Sequence, residues 1–291
     1  MFFTLIYRRV IPQKLRKQIY KAVLEKYFQS FDTVKYKMYF AFHAVFPPKT
    51  EKSKCRYFMG KHQIVNYPYP YYLEYMAKDV EYHFDSSKNL PYVIHNNKRL
   101  YFKNIPQQEV ERNYRLLAME QDVRSAHCYV ENYDMLRGKV ILDVGAAEGI
   151  FALNAIDYAE HLFLFECEKD WIAPLEATFE SMKDKITIVE KYVSDVNEDN
   201  IITLDEFAKN KQLGKLFLKM DIEGYECKAL SGCKDLFLKT PELSGAICTY
   251  HKHDDAKNIA TFLAARNYKS TPTNGYIYNE RSLRTGILRF E

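Results

Sequence analysis

The sequence predicts an α/β fold: a doubly wound, mostly parallel, Rossmann-like sheet with an antiparallel edge hairpin, preceded by a mainly helical N-terminal extension. Three observations carry this. First, Val140-Ile141-Leu142-Asp143-Val144 is a short β-rich apolar run. It stops at a turn of small residues, Gly145-Ala146-Ala147-Glu148-Gly149, before the helical stretch Ile150–Ile156. Such a unit builds nucleotide pockets, because small residues let backbone and ligand approach and the helix start offers unpaired N–H groups. Second, strand and helix patterns alternate from Lys139 onward, which predicts a parallel sheet covered on both faces. Third, the next strand candidate, His161–Glu166, ends in an acid about 20 residues past Gly145, where such folds place a ribose-binding carboxylate.

Residues 1 to about 60 read as helical and basic, broken by Pro47-Pro48. Phe2 to Tyr7 is apolar but too short to span a bilayer, and the run lacks the pattern of a secretory signal. Beyond Pro12, Leu15, Ile19, Val23 and Tyr27 recur at helical spacing, with Lys14, Arg16, Lys17, Lys21 and Lys26 between them. Three roles stay open for this basic helix: docking on its own domain, lying on anionic lipid, or gripping nucleic acid. The net charge of +4 conceals an asymmetry, since residues 1–62 carry fourteen Lys/Arg against three acids. A basic arm precedes an acidic body.

The segment Asn66–Tyr72 is aromatic and broken by prolines, which predicts a loop or edge. Tyr92–Phe102 reads as a β-hairpin turning at Asn96-Asn97, and Glu109–Met119 as a helix. Glu120–Tyr129 is strongly polar for its place before the nucleotide strand, so it is either a plain loop or a cap over the pocket. The strand candidates that follow are Lys139–Val144, His161–Glu166, Ile186–Val193, Lys215–Asp221 and Gly245–His251. Asp170–Met182 and Asp255–Asn267 have helical period, and Lys269–Asn279 with Thr285–Glu291 supply the antiparallel edge pair. The expected division is a basic region over 1–130, for acceptor binding or docking, and a ligand-binding domain over 131–291. The six cysteines show no C-x-x-C pair, as expected of reduced thiols in a cytoplasmic protein. Docking at the inner membrane face remains a further option for the basic helix.

The frame of the small residues narrows the ligand. A dinucleotide fingerprint counted from Gly145 needs glycines where Ala147 and Ile150 stand, and no Gly-Lys-Ser/Thr follows for a phosphate loop. Asp143 before the turn would repel a pyrophosphate and suit a cationic ligand. S-adenosyl-L-methionine, a zwitterion with an ammonium and a sulfonium, fits better than NAD or ATP. The expected cofactor contacts are Asp143, Gly145, Ala147, Glu148, Gly149, Glu166 and Asp221, with Ser194 and Asp195 against the adenine.

Met220-Asp221-Ile222-Glu223-Gly224 is the second strong signal. Two acids end a buried strand, where a carboxylate is costly unless paired, hydrogen-bonded or bound to a cation. Glu223 also suits capping of the next helix. Methyl transfer needs in-line placement and removal of the acceptor's proton, and histidine titrates near neutral pH. Only His251 and His253 fall at a predicted strand end facing this site. His251 is therefore the expected base, oriented by Asp221, with Glu223 beside them. Asp221, Glu223 and His251 could instead hold a divalent metal; no dedicated ligand spacing favours that option.

At these residues the chain resembles the FkbM family of S-adenosylmethionine-dependent methyltransferases. The resemblance rests on Leu142–Gly149, Phe165-Glu166, Val193-Ser194-Asp195, Thr203-Leu204-Asp205-Glu206-Phe207 and Lys219–Glu226, within residues 138–270. It implies a class I methyltransferase fold and O-methylation, commonly of sugars in glycans or of secondary metabolites, with cofactor roles for Asp143, Gly145, Gly149 and Glu166. Two departures stand out: Cys167 follows the ribose acid where the family usually has proline, and the stretch after Asp195 is short. The expected function is O-methylation of a sugar hydroxyl in a glycan, glycolipid or metabolite precursor. Its rivals are an RNA methyltransferase and a scaffold without turnover.

Overall fold

The structure, a computed structural model, describes residues 30–291. The chain forms two compact units that divide between Tyr69 and Pro70. In the first, residues 30–45 and Glu51–Lys61 are helical, and the break between them coincides with Pro47-Pro48. Thr50 and Ser53 cap the second helix reciprocally, which satisfies backbone donors that its first turn leaves open. Phe31, Val34, Met38, Phe42 and Val45 recur along one face of the 30–45 helix and are exposed. The basic helix expected over Leu15–Tyr27 lies outside the described residues.

The second unit opens with a helix at Pro70–Met76, where a loop was expected. Pro70 stands at the first helical position, the one place where a missing N–H and a fixed φ cost nothing. A meander follows: β1 (Tyr82–Asp85), β2 (Leu90–His95) and β3 (Lys98–Tyr101). Asn96 and Asn97 both take positive φ at its second turn, as a tight hairpin requires. The helix Gln107–Glu120 comes next.

The main sheet is built from β4 (Val140–Val144), β5 (His161–Phe165) and β6 (Ile186–Val189). The strand expected over Ile186–Val193 breaks after β6. Its last two residues form β7 (Tyr192–Val193), which pairs in parallel with β8 (Ile201–Ile202) in a sheet of its own. Then come β9 (Leu216–Met220), β10 (Leu243–Cys248) and β11 (Ser270–Pro272). A small hairpin, β12 (Ile277–Asn279) and β13 (Ser282–Arg284), leads to β14 (Ile287–Phe290). The seven-stranded order is β11-β14-β10-β9-β4-β5-β6, with β14 antiparallel to both of its neighbours. This is the class I methyltransferase sheet. The expected antiparallel edge pair is present as β11 and β14, with β14 lying between β10 and β11.

Successive side chains on a strand point to opposite faces, so β4 and β9 feed two cores. Ile141 and Phe217 join one cluster, while Leu142, Val144, Leu218 and Met220 join the other. Val93, Leu100, Phe102 and Val110 belong to the first cluster, and the Tyr101 amide donates to Thr178 Oγ1 at 3.0 Å. The compact units divide at 69/70, so residues 70–130 share a unit with the sheet. The meander and the 107–120 helix cannot bury their apolar faces without the sheet domain. Among the described residues no helix is long and apolar enough to cross a membrane.

Candidate active site

A cavity of about 740 Å³ opens beyond the carboxyl ends of β4, β5 and β9, within the roughly 300–1,000 Å³ typical of small-molecule sites. Ligands of open α/β sheets sit there because the order reverses at β4, whose two neighbours lead in opposite directions. The turn after β4 forms its floor. Gly145 has φ of +84°, and a Cβ there would overlap the Asp221 carbonyl oxygen, so only glycine fits between the two strand ends. Ala147 also has positive φ, uncommon for a residue with a Cβ, and its amide is thereby turned to donate to Glu166 Oε2 at 2.8 Å.

Glu166 lines the cavity and is held by backbone alone. Besides the Ala147 amide, those of Cys167 and Glu168 donate to its Oε1 at 2.8 Å each. The carboxylate keeps lone pairs for further donors and can accept two vicinal hydroxyls of a ribose. Ala147, Glu148 and Ser194 line the same cavity. Burial raises the Glu148 carboxyl to about 8, so it is largely protonated at neutral pH.

Three expected cofactor residues lie off the cavity wall. Gly149 packs against Leu175 and Phe179 behind the turn. Asp195 faces Lys228 Nζ at 3.4 Å and accepts from Ser194 Oγ at 3.2 Å. Asp143, read as a free acid facing a cationic ligand, is fully buried and ion-paired to Lys219 Nζ at 2.8 Å. Lys219 also donates to the Gly145 carbonyl oxygen. Its charge neutralises Asp143, so that acid ties β4, β9 and the turn together and offers no open charge to a ligand. Burial works against the Lys219 ammonium, yet Asp143 and Asp221 raise it to about 12.

Asp221 is the centre of the other half. Its Oδ2 accepts from Tyr129 Oη at 2.6 Å and lies 3.3 Å from His127 Nε2, while Oδ1 lies 3.6 Å from His251 Nε2. Burial alone would raise its carboxyl, but the His127 bond and the His127, Lys219 and His251 charges hold it well below the ordinary carboxylate range. His127 Nε2 also meets Tyr250 Oη at 3.1 Å, and His127, Tyr129, Tyr250 and Asp221 all line the cavity. Burial favours neutral histidine, yet the carboxylates prevail and raise both His127 and His251 above the usual imidazole value.

His251, the expected base, stands behind this group. Its Nδ1 contacts Glu226 Oε1 at 2.8 Å, its side chain is 7 % exposed, and it does not line the cavity. His251 was expected to face the cavity directly; the histidine on the wall is His127, although its side chain is just as buried. His253 is exposed and pairs with Asp254. The missed residues, His127 and Tyr129, fall in the polar segment that the sequence left open as a cap. Glu223 is on the wall and largely exposed.

The family comparison meets this geometry where the second half of the site is built. Residues 170–270 match the methyltransferase FkbM domain. The matched stretch contains β6 to β10, with Ser194, Asp221, Glu223 and His251. No curated protein matches the chain. Among solved structures, it is similar to a magnesium protoporphyrin IX methyltransferase from Synechocystis with bound SAM. Identity there is 12 % and the TM-score 0.40, over 64 % of this chain and 85 % of that one. It is also similar to an rRNA methylase from Streptococcus thermophilus, at 9 % identity and a TM-score of 0.40, covering 55 % and 90 % of the two chains. A precorrin-6y C5,15-methyltransferase from Geobacter metallireducens matches at 12 % identity and a TM-score of 0.38, over 54 % and 84 %.

Proposed function

We propose that this FkbM-like domain transfers a methyl group from S-adenosylmethionine to a hydroxyl of a sugar-containing acceptor. The observation that carries the reading is one cavity with two differently built halves: a ribose-type carboxylate, Glu166, held by backbone amides, and a His127–Asp221 pair across from it. When bound, the cofactor supplies an electrophilic methyl group. The protein's share is to orient the acceptor oxygen in line and to receive its proton at the His127–Asp221 pair.

The charge of the wall supports a neutral acceptor over a polyanion. Glu120, Glu166, Glu168, Asp221 and Glu223 face Lys191 and Lys228, while the third lining lysine, Lys219, is already paired with Asp143. An RNA backbone needs cations aimed at its phosphates. Tyr225 and Tyr250, also on the wall, offer the flat apolar faces on which sugar rings stack. The exposed apolar face of the 30–45 helix, in a strongly basic segment, supports docking at an anionic lipid surface where such an acceptor would be presented.

A labelled-methyl transfer assay against sugar, lipid-linked sugar and RNA acceptors tests the reading, alongside calorimetric titration with S-adenosylmethionine. Transfer to the saccharides is expected. Transfer to RNA alone would overturn the acceptor class, and no cofactor binding would overturn the enzyme itself.

A further inference from the structure

We propose that His251 Nε2, Asp221 Oδ1 and Glu223 Oε2 form a binding site for one divalent cation of the Mn²⁺ class. His251 Nε2 lies 3.6 Å from each of the two carboxylate oxygens. The nitrogen is buried and makes no hydrogen bond, although two acids face it. At 3.6 Å an N–H···O bond is not formed. Two donors bound to one ion at about 2.0–2.2 Å lie roughly 3.0–3.5 Å apart, so each nitrogen–oxygen pair is a few tenths of an ångström from sharing an ion, and the exposed Glu223 carboxylate turns in to complete the set.

The surroundings orient each donor. Glu226 is fully buried, and its Oε1 contacts His251 Nδ1 at 2.8 Å and also accepts from the Ile222 amide at 3.0 Å. A carboxylate on Nδ1 fixes the proton there and turns the lone pair of Nε2 outward, the arrangement that orients metal-bound histidines. Asp221 is divided in the same way: Tyr129 and His127 occupy Oδ2, which leaves Oδ1 toward His251. Glu223, at 91 % exposure, gives the ion a path from solvent. Three carboxylates, those of Asp221, Glu223 and Glu226, converge on one imidazole, so the group lacks positive charge even when that ring is protonated. One nitrogen with carboxylate oxygens suits a borderline-hard ion.

Asp221 and Glu223 also line the cavity, so the ion would stand at its wall and could draw an acceptor hydroxyl toward ionisation. That role rests on the methyltransferase reading; the site does not. The test uses Mn²⁺ alone with the full chain, without cofactor, followed by calorimetry and by the loss of the free-Mn²⁺ electron resonance signal. One ion per chain is expected, with affinity at least tenfold weaker in Glu223→Gln, whose exposed side chain leaves folding intact, and weaker again in His251→Ala. No Mn²⁺ binding by the wild type, or equal binding by both variants, would overturn the site. Cofactor titration of the metal-free wild type separates the two ideas. Mn²⁺ uptake without cofactor binding sinks only the enzyme reading, and the reverse sinks only the metal site.

Discussion

Glu166 and Asp221 stand at the ends of β5 and β9, the two strands of the site that do not carry the glycine turn, and both line one cavity. They are held by opposite means. Glu166 is fixed by three backbone amides, two of them from the residues that follow it directly. Asp221 is fixed by side chains that arrive from residues 127, 129 and 251. Amides do not titrate, so the first half is a rigid receptor. Imidazoles and a phenol do, so the second half can move protons. The contrast sets a fixed acceptor beside a titratable group on the wall of one cavity.

The sharpest way to break that contrast is Asp221→Asn. Turnover should fall by about 10²–10⁴-fold, the usual worth of positioned acid–base groups, with cofactor affinity little changed in a calorimetric titration. A parallel loss of cofactor affinity would merge the two halves into one. Gly145→Ala attacks the junction between them, since the new Cβ meets the Asp221 carbonyl at a positive φ. Denaturant unfolding should show a loss of about 2–4 kcal/mol. Glu166→Ala should weaken cofactor binding by about 1–3 kcal/mol, and unchanged affinity would remove Glu166 from the site.

A further effect, read in stability against pH, concerns Glu148, whose folded carboxyl is raised from 4.5 to about 8. The folded state then keeps a proton that the unfolded state releases, so stability is lost as pH rises from about 4.5 toward 8 and levels off above. Glu148→Gln removes that dependence. Its melting temperature should match the wild type near pH 4 and exceed it at pH 8, with the gap opening between those two values. A constant offset across the range would show that the carboxyl does not titrate there.

Much of this was legible in the residues. Small residues after an apolar strand require a tight turn, and alternating periods require a parallel sheet, so β4, β5, β9 and β10 fall where the pattern places them. Glu166 was legible for the same reason, because Cys167 and Glu168 follow it directly and its third partner, Ala147, sits in the glycine turn of the adjacent strand. Lys219 was not singled out for its role. A lone lysine in an apolar strand reads as a solvated edge, yet β9 is buried between β4 and β10, which obliges it to find Asp143. That pairing also removed the free charge from which a cationic ligand had been argued. Spacing likewise gave no reason to favour a metal, since Asp221 and His251 converge only when β9 and β10 lie side by side.

The sequence by itself determined the strand–turn–helix unit, the parallel core and the Glu166 receptor, because each depends on short-range sterics and hydrogen bonds between close neighbours. Only the tertiary structure decided which histidine reaches Asp221, which acid is silenced by Lys219, and that residues 70–130 belong with the sheet. Those outcomes depend on burial. A charge or a ring removed from water must be satisfied by whatever group the fold brings within about 3 Å, however far away it lies in the chain.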